Sequence, residues 1–294
     1  MGESKAITFM WLIDAGEETH VLSMEFNDMF SVKGKTVVVT GGSRGIGEMI
    51  SAGFLSAGAK VFISSRKIDA CEQAVERLKA YGEDVMAIPS DLSNMDGIKH
   101  LATELAKHTD KVDVLVNNAG AAWGAPVDEF PEIGWDKVMD INVKGVFFMT
   151  QKLLPMLRKA GTAETPASVI NIGSIDGLRT PAMLTPSYSA SKAAVHHLTR
   201  VLSAHLIGDH ITVNAIAPGP FPTYMLSTGV GFGGKTEGDD VDWDAIGKNN
   251  PAGRVGQPTD AAGLSIFLAS KAGSYVVGQT IALDGGVVSA NGSI

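Results

Sequence analysis

A tyrosine and a lysine four positions apart mark the most chemically suggestive stretch of the chain, YSASK at 188–192. On a helix that spacing sets Tyr188 and Lys192 on one face. A free phenol, with a pKa of about 10, shuttles protons poorly at neutral pH. A neighbouring ammonium favours the phenolate and is expected to lower that pKa toward the working range. Tyr188 could then protonate the alkoxide formed when hydride reaches a carbonyl, or take the proton back in oxidation. The spacing alone is common on solvated helices, but Ser174 gives it context. Ser174 closes the run NIGS (171–174), and its hydroxyl can donate to a carbonyl oxygen as an oxyanion-type contact.

Hydride chemistry needs a carrier, and TGGSRGIG (40–47) is suited to hold one. It follows the β-branched run TVVVT and precedes a helical pattern. Gly41 permits a tight exit from the strand, Gly45 lets the backbone approach a pyrophosphate, and Gly47 allows close packing. Ser43, Arg44 and Ile46 complete the turn, and the helix beyond aims free N–H groups at phosphates. Dinucleotide sites that take NAD place an acid at the end of the second strand, for the ribose 2′-hydroxyl. Here that strand ends FISSRK (62–67), with Ser65 and Arg66 in place of an acid. A guanidinium grips a 2′-phosphate that a carboxylate would repel. With Arg44 as a second cation, the expected cofactor is NADP(H). Arg66 and Lys67 also suit a solvated helix start.

The elements that must position these residues alternate. Continuous apolar runs at 36–40, 60–64, 84–89, 112–117, 168–173, 211–217 and 280–284 read as strands covered on both faces. Helical patterns fall between them at 45–58, 67–81, 95–108, 134–160, 188–207 and 258–270. Parallel strands require such crossovers. The expected architecture is α/β: one doubly wound Rossmann domain over 31–294, with a seven-stranded parallel sheet and its switch point beside the first strand. Residues 220–256, rich in Gly, Asp and Pro, follow the sixth strand at the ligand-binding edge and read as a substrate lid. Residues 1–30 read as an extension without chemistry of its own, or as a partner-binding arm.

Taken together, these signatures resemble the short-chain dehydrogenase/reductase family over residues 31–288. They run in order through TGGSRGIG, Asp91-Leu92, NNAG (117–120), Asn142, Ser174, YSASK, PGPFPTYM (218–225) and LDGG (283–286). The resemblance implies a catalytic tetrad of Asn142, Ser174, Tyr188 and Lys192, with Asn142 holding a water that relays protons through Lys192. It implies Asp91 and Leu92 at the adenine, and Asn118, Ala119 and Gly120 along the cofactor. Pro218, Gly219 and Thr223 would lie near the nicotinamide, with Lys192 also on its ribose. A homotetramer is implied as well.

Substrate choice is expected to rest on Trp123, Asp176, Met183, Leu184, Phe221 and Met225, although ordinary packing accounts for the apolar ones equally well. The leading substrate is a 3-oxoacyl group or a similar apolar ketone. A sugar-acid or polyol dehydrogenase of the gluconate type is the alternative, made awkward by Asp176, which would repel an anion. An NADP(H)-sensing protein that has lost catalysis would show a damaged tetrad, and this one is intact.

Other classes are excluded more simply. A net charge of −8, with its cations scattered, offers nucleic acid no footprint. One cysteine, Cys71, permits neither an intrachain disulfide nor a thiolate metal site, and it reads as a small buried thiol. The apolar stretch 6–13 is far short of the ~18 residues that span a bilayer, and no cleavage pattern follows it. A cytoplasmic protein is expected. His196 and His197 lack partners at ligand spacing and read as helix-surface or interface residues. Asp239, Asp240, Asp242 and Asp244 lack the turn glycine of a calcium loop. No metal is expected.

Overall fold

The computed structural model describes residues 26–181, 183–227 and 241–290. The apolar stretch 6–13, the middle of the expected lid (228–240) and, with it, Asp239 and Asp240 lie outside the described residues.

The β-branched runs form β1 (Thr36–Thr40), β2 (Lys60–Ser64), β3 (Val85–Ala87), β4 (Val114–Asn117), β5 (Ala167–Ile172), β6 (Ile211–Pro218) and β7 (Thr280–Leu283). All pair in parallel, in the order β3-β2-β1-β4-β5-β6-β7. The order reverses between β1 and β4, and a crevice opens there beyond the strand ends. The helices are α1 (Phe26–Met29), α2 (Gly45–Ser56), α3 (Ile68–Leu78), α4 (Met95–Leu105), α5 (Glu132–Met139), α6 (Gly145–Ala160), α7 (Pro186–Leu206), α8 (Tyr224–Ser227), α9 (Trp243–Asn249) and α10 (Pro258–Ala269).

Each face of the sheet has its own core because successive strand residues point to opposite sides. Val37 and Val39 of β1 join Ile50 and Phe54 of α2 and Leu268 of α10 on one face. Val38 joins Leu101 of α4, Leu153 of α6 and Leu202 of α7 on the other. Both faces are therefore largely apolar, with polar residues such as Ser168, Asn171 and Asn214 buried among them.

Two expectations need correction. The helix read as continuous over 134–160 begins at Glu132 and is interrupted by a turn of π-helix, Asp140–Lys144. Both flanks are good helix formers, and a single extra residue per turn leaves no compositional trace. The expected irregular lid contains two short helices, α8 and α9. The latter is capped by Asp242, whose carboxylate accepts from Ala245 N at 2.8 Å.

Candidate active site

A cavity of about 1740 Å³ runs along the carboxyl ends of β1, β2, β4, β5 and β6. It exceeds the usual small-molecule pocket and has room for a dinucleotide and a substrate together.

At one end lies the glycine turn. Gly41 holds φ +67°, and a Cβ there would come within 2.8 Å of Asn118 Nδ2. That amide donates to Thr40 O at 2.9 Å and Gly41 O at 3.1 Å, while Thr40 Oγ1 accepts from the N–H groups of Asn118 and Ala119, each at 3.0 Å. Thr40 and Asn118 thus lock the exits of β1 and β4 together, a bracing role the sequence reading did not assign. Gly41, Ser43, Arg44, Gly45 and Ile46 line the cavity, whereas Gly47 lies behind it, pressed against Gly41 O and Asn118. No side chain caps the start of α2, so its first N–H groups are left for an anion.

Ser65, Arg66 and Lys67 also line this end. The buried Cys71 braces Ser65 through an Oγ···Sγ contact of 3.3 Å. The Arg44 guanidinium lies 4.6 Å from the ring centre of Tyr224. A further cation, Arg77, reaches the same wall, donating to Ser43 O at 3.1 Å and to Glu48 at 2.7 Å. Sequence could not reveal Arg77, because its reach depends on how α3 lies against α2. Ser64 lines the cavity, and its buried Oγ finds no hydrogen-bond partner among the described residues. An uncapped helix start, an orphaned hydroxyl and clustered cations fit a phosphorylated dinucleotide.

Asp91 stands off the wall. Its Oδ1 accepts from Ser93 N at 3.1 Å and Ser93 Oγ at 2.8 Å, and Ser90, Leu92 and Ser93 face the cavity instead. Ala119, Gly120, Pro218, Gly219 and Thr223 line its middle.

At the far end Ser174, Tyr188 and Lys192 come together. Tyr188 stands beside the Ser174 side chain, which favours the phenolate, and Ser174 Oγ accepts from Asp176 N at 3.2 Å. Lys192 Nζ donates to Ile172 O at 2.8 Å and lies 5.4 Å from the centre of the Tyr188 ring. The expected lowering of the Tyr188 pKa is not what this arrangement gives. Burial pushes the phenol up to about 12, with the Ser174 side chain opposing and the Asp176 charge adding to it. The ammonium sits on a carbonyl rather than on the phenol oxygen, and burial brings Lys192 itself down to about 8.

Asn142 lies on the π-helical turn, behind the wall. Its Oδ1 accepts from Ala121 N at 2.8 Å, and its Nδ2 donates to Ala121 O at 3.0 Å and Ser191 Oγ at 2.9 Å. The side-chain amide is thus committed to clamping the loop after β4 onto α7 beside Lys192.

Of the expected substrate residues, Met183, Phe221, Met225 and Asp176 line the cavity. Trp123 and Leu184 do not, and both expectations are corrected. The Trp123 ring packs on Gly134 with Lys137 Nζ 5.2 Å from its centre. Leu184 faces solvent at 46% exposure, and its carbonyl accepts from Ala125 N. Burial raises the Asp176 pKa against the nearby Arg179, whose buried Nε has no partner. His196, read as a surface or interface residue, is 3% exposed and packs behind Ser174. His197 is exposed, 3.2 Å from Arg200. No metal-binding cluster occurs among the described residues, and no helix among them is long and apolar enough to cross a membrane.

The chain is similar to known proteins. The short chain dehydrogenase family model matches residues 35–229. The rhamnolipids biosynthesis 3-oxoacyl-[acyl-carrier-protein] reductase of Pseudomonas aeruginosa is 47% identical over 257 residues, covering 87% of this chain and 97% of that protein. The 5-keto-D-gluconate 5-reductase of Escherichia coli K12 is 36% identical, covering 89% of this chain and 98% of that protein. Among solved structures, the Pseudomonas aeruginosa RhlG/NADP active-site complex superposes with a TM-score of 0.82 at 46% identity, covering 89% of this chain and 99% of that one. The chain belongs to the short-chain dehydrogenase/reductase family.

Proposed function

We propose that this oxidoreductase uses NADP(H) to reduce a 3-oxoacyl or similar apolar ketone to a secondary alcohol. The observation that carries the reading is the Tyr188–Ser174 pair in a cavity continuous with the cation-lined glycine turn. Arg44 and Arg66 hold the 2′-phosphate, and the start of α2 takes the pyrophosphate. NADPH, when bound, supplies the hydride. Ser174 Oγ donates to the carbonyl oxygen, and Tyr188 delivers the proton that this oxygen needs as it becomes an alcohol. A phenol with a pKa of about 12 is fully protonated at neutral pH, as the acid in a reduction must be. Lys192 fixes the floor of the site through Ile172 O, and Asn142 holds α7 against the loop after β4. Met183, Phe221 and Met225 form the apolar wall for the acyl chain, and Tyr224, Leu226, Val241 and Ile246 from the described parts of the expected lid line the cavity with them. We infer that residues 1–30 serve as an extension without chemistry of their own or as a partner-binding arm. The exposed side chains of Val127 and Trp135 suit burial between copies, which supports the proposed homotetramer, and the proposed location is the cytoplasm.

One observation favours a sugar-acid substrate. Arg179 lines the cavity with its Nε unpartnered and could offset the Asp176 charge for a carboxylate. NADPH consumption with acetoacetyl-CoA, a 5-ketogluconate-type acid and a small neutral ketone separates the readings. Acetoacetyl-CoA is expected to be turned over best, and preference for the keto acid would move the assignment to the gluconate type. Tight NADPH binding without turnover of any ketone would sink the reductase reading in favour of a cofactor sensor.

A further inference from the structure

Ser174 must present its hydroxyl at one place, and its backbone is held there from an unexpected side. Tyr188, Lys192 and His196 follow one another at four-residue spacing on α7, hence on one face. Tyr188 and Lys192 line the cavity, while His196 turns its ring beneath the loop that carries Ser174. The imidazole fills the space between Gly173 and Gly177. A Cβ on Gly173 would collide with its Nε2, and one on Gly177 would lie 2.8 Å from its Cε1. Nε2 is 3.5 Å from the buried Ser174 backbone nitrogen, whose N–H finds no other acceptor among the described residues.

We propose that His196 is a positioning residue for the hydroxyl that polarises the substrate carbonyl: its neutral ring, wedged between Gly173 and Gly177, accepts from Ser174 N–H and sets Ser174 against Tyr188. Acceptance by Nε2 requires the tautomer with hydrogen on Nδ1, an atom buried without a well-aligned partner. A buried polar atom left short in this way calls for an explanation, and service at an active site is one. The ring has every reason to stay neutral. Burial with Lys192 and Arg200 nearby pulls its pKa down to about 4, and only the Gly177 backbone favours the charged form. The same tie makes α7 and the β5 loop one unit, so the acid and the polariser move together.

The inference rests on the ketone-reductase reading, and its test is built to fail separately. An Asn side chain reaches about as far as Nδ1, and a Gln side chain about as far as Nε2. His196→Asn therefore loses the acceptor, and His196→Gln keeps it. His196→Asn is expected to lower kcat by roughly tenfold or more, as small misplacements of a reacting group do, with KM and the NADPH Kd little changed. His196→Gln should recover most of that loss. In a Ser174→Ala background His196→Asn should cost nothing further. Hydrogen exchange at the Ser174 amide, followed without substrate, should quicken with Asn and stay slow with Gln. Equal losses for Asn and Gln, an undiminished loss in the Ser174→Ala background, or unchanged exchange with Asn would each overturn the proposal. If the unmutated protein turns over no ketone, the ketone reading falls and the exchange comparison alone decides His196.

Discussion

Replacing Lys192 with methionine should abolish turnover and, at neutral pH, leave the protein more stable. Lys192 is 6% exposed, and burial holds its pKa at about 8 against a usual 10.5. At pH 7 the folded protein therefore carries an ammonium whose burial costs about 3 kcal/mol. The hydrogen bond from Nζ to Ile172 O, at 2.8 Å, returns about 1–2 kcal/mol. Methionine has similar length and no charge to bury, so the variant should gain about 1–2 kcal/mol. The pH dependence gives the sharper test. Below about 8 both folded and unfolded chains hold the proton, and the penalty is present in full. Between there and 10.5 only the unfolded chain holds it, so the folded protein gains stability as pH rises. By pH ~9.5 about 2 kcal/mol of the penalty should be gone, and with it the advantage of methionine. Urea unfolding followed by tryptophan fluorescence, at neutral pH and near pH ~9.5, measures both differences. A variant less stable at neutral pH, by a margin that does not change with pH, would refute the burial argument.

Other substitutions probe the remaining groups. Tyr188→Phe should cut kcat by at least ~100-fold while sparing the NADPH Kd measured by fluorescence, and retained turnover would remove Tyr188 as the acid. Arg66→Asp sets a carboxylate against the 2′-phosphate and should shift the NADPH/NADH ratio of kcat/KM toward NADH by roughly tenfold or more, an unaltered ratio counting against the assignment. Gly47→Ala would drive a methyl group into Gly41 O and Asn118, so NADPH titration should show affinity lost with little change in the far-UV circular dichroism spectrum. Normal affinity there would mean that the turn tolerates displacement.

What the sequence disclosed follows the range of the forces involved. Strands covered on both faces are apolar at most positions, so β1, β5 and β6 are legible as β-branched runs even though Ser168, Asn171 and Asn214 are buried within them. β3 is legible only in part: it is an edge strand, half-buried at Val85 and Ala87 and exposed at Met86, and just three of its expected residues pair. Tyr188 and Lys192 were legible because helical spacing alone aligns them. The direction of the Tyr188 pKa was not, since it depends on whether the ammonium touches the phenol or a carbonyl, and spacing carries no information about that choice. Trp123 failed for a related reason: its size marks it for burial but not for a particular neighbour, and Gly134 supplied the flat surface it packs on.

Asn142 shows why site and fold are hard to separate in this chain. A regular α-helix from Glu132 to Ala160 would satisfy each backbone group within its own turn. Passing through Asp140–Lys144 as π-helix instead widens the helix where Asn142 meets α7 and the loop after β4. The side chain uses that position fully, bonding both backbone groups of Ala121 and the Ser191 hydroxyl. Ser191 precedes Lys192, and His196 one turn later grips the Ser174 loop from below. Two chain segments distant in sequence, the π-helical turn at Asn142 and the exit of β5 from Ile172 to Ser174, are thus tied to α7 within about two turns, at Ser191, Lys192 and His196. Loss of any one tie should be felt in the placement of Tyr188 and Ser174 before it is felt in the sheet, whose apolar cores lie elsewhere. The reacting groups are therefore positioned by a polar scaffold distinct from the apolar one that folds the domain.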